Sequence, residues 1–258
     1  MPATEDGLEP LPALPAFTAT NRRPPPGGAR REWQQARVVE VRRETARAAS
    51  LRLQPAHWVP HSPGQHYVVR PTAPDGYQAQ RSYSVATPPA DEPFLELTVE
   101  RLVDGEVSTY LHDELRVGDD LEVRGPFGGW FVWHGERPAL LVGGGSGVVP
   151  LMAMLRHRRR EHLAVPLRLV VSTRTPDDLL YAGEYAEEST IVYTRVAPPG
   201  AAHAPGRVRA EDLRPLLIPG ATAYVCGSSG FAEHASQLLV TVGQPVSDIR
   251  VERFGPTA

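Results

Sequence analysis

Four residues carry the densest chemistry in this chain, Arg81-Ser82-Tyr83-Ser84, set within the run 80–87. Along an extended segment, alternation sends Arg81, Tyr83 and Val85 to one side and Ser82, Ser84 and Ala86 to the other. Arg81 offers a planar fork for a pyrophosphate, Tyr83 a stacking surface, and Ser84 a donor for a ring nitrogen. A flavin nucleotide has a diphosphate, a flat ring and N5, so it answers all three. On these residues alone, an ordinary Arg/Tyr edge strand is the alternative.

The elements around this run alternate in the same way. Residues 32–53 read as half-buried strands, with Val39, Val41, Ala49, Leu51 and Leu53 as the apolar series. The segments 62–69, 81–87, 94–101 and 120–124 follow as short strands between Gly/Pro turns. That spacing predicts an antiparallel barrel. One helix is expected inside it, over 108–115, with Ser108 as N-cap and free first-turn amides as an anion site.

At Arg137 the pattern changes. An apolar strand over 139–142 runs into the bare loop Gly143-Gly144-Gly145-Ser146-Gly147 and a helix over 148–159. Buried strands follow at 167–172 and 190–195, a fourth at 221–226, and a helix at 232–240. Strands alternating with helices predict a parallel sheet covered on both faces, with ligands beyond the carboxyl ends of its strands. The glycine loop, Arg174, Arg195 and Cys226 fall at those ends. The fold class is therefore a two-domain α+β chain: a 1–30 tail, a barrel over 31–135 and an α/β domain over 136–258.

The totals set limits. A net charge of −3 implies no general attraction to nucleic acid or an anionic membrane. All 27 basic residues are Arg, so phosphates must be met by guanidinium, hydroxyl or backbone amide. One cysteine, Cys226, excludes an intrachain disulfide framework and an intrinsic iron–sulfur cluster, which needs about four cysteines; a cytoplasmic protein fits. Residues 1–30 are rich in Pro and small residues, lack a signal-peptide core and read as a flexible tail. The apolar run 138–155, followed by basic residues, superficially resembles a membrane span, but its glycines and Pro150 favour strand, turn and helix. His57, His61, His66, His112, His134 and His203 show no metal-ligand spacing.

The motifs stand in an order that resembles the ferredoxin–NADP⁺ reductase family of flavoproteins, from about Trp33 to Phe254. They are Arg81-x-Tyr83-Ser84; Asp104-Gly105-x-x-Ser108; Gly145-Ser146-Gly147-Val148-Val149-Pro150; Cys226-Gly227; and Glu252-Arg253-Phe254. The resemblance implies FAD, with Arg81 and Ser108 on the pyrophosphate, Tyr83 on the ring or ribityl chain and Ser84 near N5. Ser82, Val99, Arg101, Gly105 and Val107 join this side. The second domain would take a nicotinamide dinucleotide at Gly145, Ser146, Gly147, Pro150, Cys226 and Gly227. Ser84, Cys226 and Phe254 would flank the reacting rings. Cys226 is alternatively a small buried core residue, and Phe254 a core Phe. Ser146 stands where the family usually has Thr, and Ser228-Ser229 and Gly255 to Ala258 depart from its pattern.

Ser172, Arg174, Thr194, Arg195 and Arg207 resemble positions that family members use for a 2′-phosphate, which favours NADPH. Asp177 and Asp178 keep NADH possible, because an acid on the ribose hydroxyls marks NADH sites, and solvated surface arginines are the other reading. The implied activity is an FAD-dependent NAD(P)H oxidoreductase that hands electrons to a separate ferredoxin or flavodoxin type protein. A flavin or quinone reductase without a protein partner, or a non-catalytic electron-transfer subunit, are the alternatives. Arg156 to Arg160 form either a docking patch for an acidic partner or a solvated helix end.

Overall fold

A computed structural model of the chain describes residues 32–73, 75–201 and 204–255; the tail 1–30 and His203 lie outside them. The first sheet comprises β1 (Gln34–Thr45), β2 (Ala48–Pro55), β3 (His66–Arg70), β4 (Arg81–Ser84), β5 (Leu95–Glu100) and β6 (Asp120–Phe127). Its order is β4-β3-β6-β1-β2-β5, every ladder antiparallel. A single Val85–Leu97 bridge, with the Ala86 N–H donated to the Glu96 carbonyl at 2.8 Å, curls the two edges together into the expected barrel. Its interior holds Ala36, Val38, Leu51, Leu53, Tyr67, Val85, Leu95, Leu97 and Val99. Each fully buried Leu contributes roughly 1.5–3 kcal/mol.

Two local expectations are corrected. In β1 the register slips between Val38 and Glu40. That bulge shifts the phase, so Ala36 and Val38 fill the core and Val39 is only half-buried. The helix begins earlier than 108: α1 spans Glu106–Thr109 with Gly105 as its N-cap, and a π turn continues it over Tyr110–Glu114. Ser108 is not the cap. Its hydroxyl donates to the Gly105 carbonyl at 3.0 Å and accepts the Leu102 N–H at 3.1 Å, pinning the loop before the helix. Val107, Leu111 and Leu115 close that end of the barrel.

The second sheet is parallel, in the order β11 (Ile249–Phe254), β10 (Thr222–Ser228), β7 (Ala139–Gly144), β8 (Leu167–Thr173), β9 (Ser189–Tyr193). The continuous apolar runs are explained by burial on both faces. Leu141, Leu169 and Cys226 face α2 (Val149–Arg160) and the barrel, whereas Leu140, Val142 and Val225 face α3 (Ala210–Leu213) and α4 (Ser229–Thr241). Strand order reverses between β7 and β10, which makes that pair the switch point where open α/β sheets bind ligands. The apolar run 138–155 is strand, loop and helix, and no described helix is long and apolar enough to cross a membrane.

Candidate active site

Beyond the Val85–Leu97 bridge, β4 and β5 share no ladder among the described residues, so the two edge strands part there, with the exposed Arg81 and Ser82 on one side and Thr98 and Val99, both buried, on the other. Arg81 is exposed; its Nη1 donates to the Gln80 carbonyl at 2.7 Å and it meets no described carboxylate. Ser82 is exposed and Tyr83 half-buried, packed against the barrel core with its phenol pushed up to about 12 by burial. Ser84 is 6% exposed, yet its hydroxyl bonds no described residue. Gly105 stands in the turn between β5 and α1, and Ser108 in α1 bonds back to it. The side chains of Val99 and Val107 are spent in the barrel core, which leaves only their backbone groups to a ligand. Arg101 is committed as well, since its Nε donates to Asp113 at 2.8 Å.

The glycine loop faces this opening from the other lobe. Gly145 has φ +56° with nothing near the position of a Cβ, so it is the open point of the loop. Gly147 has another cause. A Cβ there would lie 2.2 Å from the Cys226 carbonyl oxygen, so glycine is required for β10 to pass. Phe231 packs its ring over both Gly144 and Gly227, where a Cβ would come within 2.7 and 2.6 Å of it. Ser146 is half-buried, and Pro150 is buried in the first turn of α2, where a missing N–H costs nothing. Ser228, a departure from the family pattern, caps α4 by accepting the Phe231 N–H at 3.4 Å.

The two sides meet. Ala86, two residues past Ser84, packs in one cluster with Val148, Val149 and Cys226, and Phe254 packs against it half-buried. Cys226 is fully buried, and burial first, then the Glu252 carboxylate, pushes its thiol well up. A neutral thiol is no nucleophile. Glu252 was missed in the sequence as a functional residue. It pairs with Cys226 across β10 and β11, its Oε2 is buried without a partner, and burial pushes its carboxyl up to about 7. The signal available was its place in the Glu252-Arg253-Phe254 run, where only Phe254 is assigned a role from sequence.

At the far end of the sheet, backbone bonds gather the expected arginines. Arg195 N–H donates to the Arg174 carbonyl at 3.0 Å, and Gly206 N–H to that of Tyr193 at 2.9 Å, which brings Arg207 alongside. All three arginines are exposed and pair with no described carboxylate. Ser172 is buried and Thr194 half-buried beside them. Asp178 is occupied, accepting the Thr175 hydroxyl at 2.7 Å.

The basic run at the end of α2 is mostly paired within the chain rather than solvated. Arg156 turns inward to Glu96, Glu184 and the Ala86 carbonyl, Arg158 to the Val165 carbonyl and Arg159 to Glu188. Only Arg160 of these arginines remains exposed. The sequence hid this because the partners lie 28 to 70 residues away from Arg156.

Together the site offers an exposed guanidinium bonded only to its neighbour's carbonyl, a half-buried aromatic, a hydroxyl that bonds no described residue and an open glycine turn on two facing lobes. That donor set fits FAD on the barrel and a dinucleotide on the sheet. Comparisons agree: residues 36–132 match the oxidoreductase FAD-binding domain and residues 141–237 the oxidoreductase NAD-binding domain. The chain is 33% identical to the glycine betaine monooxygenase reductase subunit of Chromohalobacter salexigens, over 76% of this chain and 56% of that protein. It is 31% identical to a flavohemoprotein of Pseudomonas putida, over 90% of this chain and 61% of that one. It thus spans less than two thirds of these relatives. Among solved structures, a cytochrome P450 reductase from Amycolatopsis superposes with a TM-score of 0.74 at 26% identity, over 87% of this chain and 70% of that one.

Proposed function

The chain belongs to the ferredoxin–NADP⁺ reductase family and is an FAD- and NAD(P)-binding oxidoreductase, and from that premise we propose that it is the reductase of an oxygenase-type system, drawing on NADPH and reducing a separate ferredoxin or flavodoxin type carrier. FAD, when bound, accepts hydride from the nicotinamide and releases electrons one or two at a time. Arg81 binds its pyrophosphate, assisted by the Gly105–Ser108 turn. Tyr83 covers the ring, and Ser84 donates its otherwise idle hydroxyl near N5. Gly145 admits the dinucleotide pyrophosphate to the amides leading into α2, while Arg174, Arg195 and Arg207 hold the 2′-phosphate. Cys226 acts by shape, a small buried side chain packed with Ala86, Val148 and Val149. Glu252, beside Cys226 on the neighbouring strand, can hold or release a proton near neutrality.

The observation that carries this reading is Ser84: a residue 6% exposed whose hydroxyl bonds no described residue, on a strand that starts with an exposed Arg81 paired with no described carboxylate and runs into the cluster containing Ala86 and Cys226. A hydroxyl with no partner among the described residues is left available to a ligand atom, and such a bond is worth about 1 kcal/mol. The reductase names of the relatives support a separate acceptor. The test is steady-state turnover with NADPH against a ferredoxin, a flavodoxin, free FMN and a quinone. The proposal expects saturable reduction of a carrier protein at low concentration; turnover with free FMN or quinone that far exceeds every carrier would reject it.

A further inference from the structure

Arg156 lies seven residues into α2, about 10 Å along the helix from the glycine loop. Its side chain is 15% exposed. Nη1 donates to the Ala86 carbonyl at 2.9 Å and to Glu96 Oε1 at 2.8 Å. Nε and Nη2 donate to Glu184 at 2.9 and 2.5 Å, a fork that fixes the plane of the guanidinium. The Tyr181 ring backs it, 4.8 Å from the guanidinium carbon. Glu96 is held from the other side by Arg42 at 3.0 Å, and the Tyr181 hydroxyl bonds Thr98 of the barrel at 2.5 Å.

The location matters more than the number of bonds. Ala86 and Glu96 are the residues whose backbone bond closes the barrel next to Val85–Leu97, and Ala86 is two residues from Ser84. One guanidinium therefore holds the end of the flavin strand, its partner strand and the helix that the glycine loop begins. We infer that Arg156 is a positioning residue for hydride transfer, clasping the β4–β5 closure to α2 and so fixing the separation of the two cofactors. The inference rests on the placement of FAD along β4 and of the dinucleotide over the glycine loop. The step moves one hydride from nicotinamide C4 to flavin N5, so the nicotinamide is oxidised and the flavin reduced by two electrons. A misplacement of about 1 Å remote from the chemistry can cost about 10²-fold in such a step. Lys is no substitute, since a single ammonium cannot present a planar fork to Glu184 while reaching Ala86 and Glu96.

The test uses the FAD-loaded full chain with Arg156→Met, Arg156→Lys and Glu184→Gln. Three readouts are taken: the long-wavelength charge-transfer absorbance on mixing with NADPH, the limiting rate of flavin reduction, and deuterium exchange over residues 84–97. Arg156→Met is expected to keep its FAD and its NADPH affinity, to lose the charge-transfer absorbance, to exchange faster over 84–97, and to reduce flavin roughly 10- to 100-fold more slowly. Arg156→Lys falls between it and the parent, as does Glu184→Gln, which frees the guanidinium without removing it. Unchanged charge-transfer absorbance and reduction rate in a folded Arg156→Met overturn the inference. Should that variant fail to fold, the same unchanged result in Glu184→Gln overturns it. A parent protein that neither NADPH nor NADH reduces contradicts the active-site reading instead, which separates the two failures.

Discussion

Glu252 stakes a stability on pH. Its carboxyl sits beside Cys226 with Oε2 buried and unpartnered, and burial raises it from 4.5 to about 7. The unfolded chain releases this proton near 4.5 while the native state keeps it to about 7, so between those values the native state binds more protons. Stability is then fully present below the lower value and is lost as pH rises through the upper one. At 1.36 kcal/mol for each pKa unit, the loss amounts to about 3 kcal/mol. For a chain of this size that is a fall of roughly 6–12 °C in Tm. Glu252→Gln removes the titration and nearly keeps the shape. Calorimetric scans from about pH 4 to about pH 8 should show the parent losing stability against the variant, with the gap complete above neutrality. Parallel curves for the two proteins would refute the claim that this carboxyl is buried without a partner.

Ser84→Ala should slow flavin reduction by NADPH in stopped-flow measurements while FAD still binds; an unchanged rate would argue against a hydroxyl near N5. Replacing Arg174, Arg195 or Arg207 by Ala should raise the KM for NADPH roughly tenfold each, the scale of one lost charge-assisted hydrogen bond, with little change for NADH. Equal effects on both nicotinamides would remove the 2′-phosphate assignment. Gly147→Ala should cost about 3 kcal/mol or more, seen in thermal denaturation, because its Cβ would meet the Cys226 carbonyl 2.2 Å away.

The parts of this molecule that were legible in the sequence are those whose cause is local. The alternation in 94–101 and the apolar run 139–142 each state their element within a few residues, whereas the expected loop 143–147 begins only at Gly145, because Gly143 and Gly144 still pair with Val171 and Ser172 of β8. Arg81 and Ser84 share β4, and Gly143 to Gly145 and Cys226 fall near the carboxyl ends of β7 and β10, where the sequence pattern expects them. What was not legible depends on neighbours distant in the chain. The bulge at Val39 lies just past the stretch where β1 pairs with both β2 and β6, and nothing in the local alternation announces it. Ser108 looked like a cap, but the helix starts at the turn that its hydroxyl pins. Arg156 is indistinguishable from Arg160 until Glu96 and Ala86 arrive from the other lobe. The glycines are similar: Gly144 and Gly227 serve the Phe231 ring and Gly147 serves Cys226, which leaves Gly145 as the one whose freedom a dinucleotide can use. The terminal strand β11 is short and only its first residue is fully buried, so its pattern was faint.

The central claim is that the opening between β4 and β5 holds a flavin within reach of a nicotinamide on the sheet edge. Anaerobic titration of the purified protein, watching the visible flavin absorbance, tests it directly. The account predicts a yellow protein whose absorbance bleaches with one equivalent of NADPH and less readily with NADH. A colourless protein that takes up no added FAD, or a yellow one that neither nicotinamide bleaches, would contradict it.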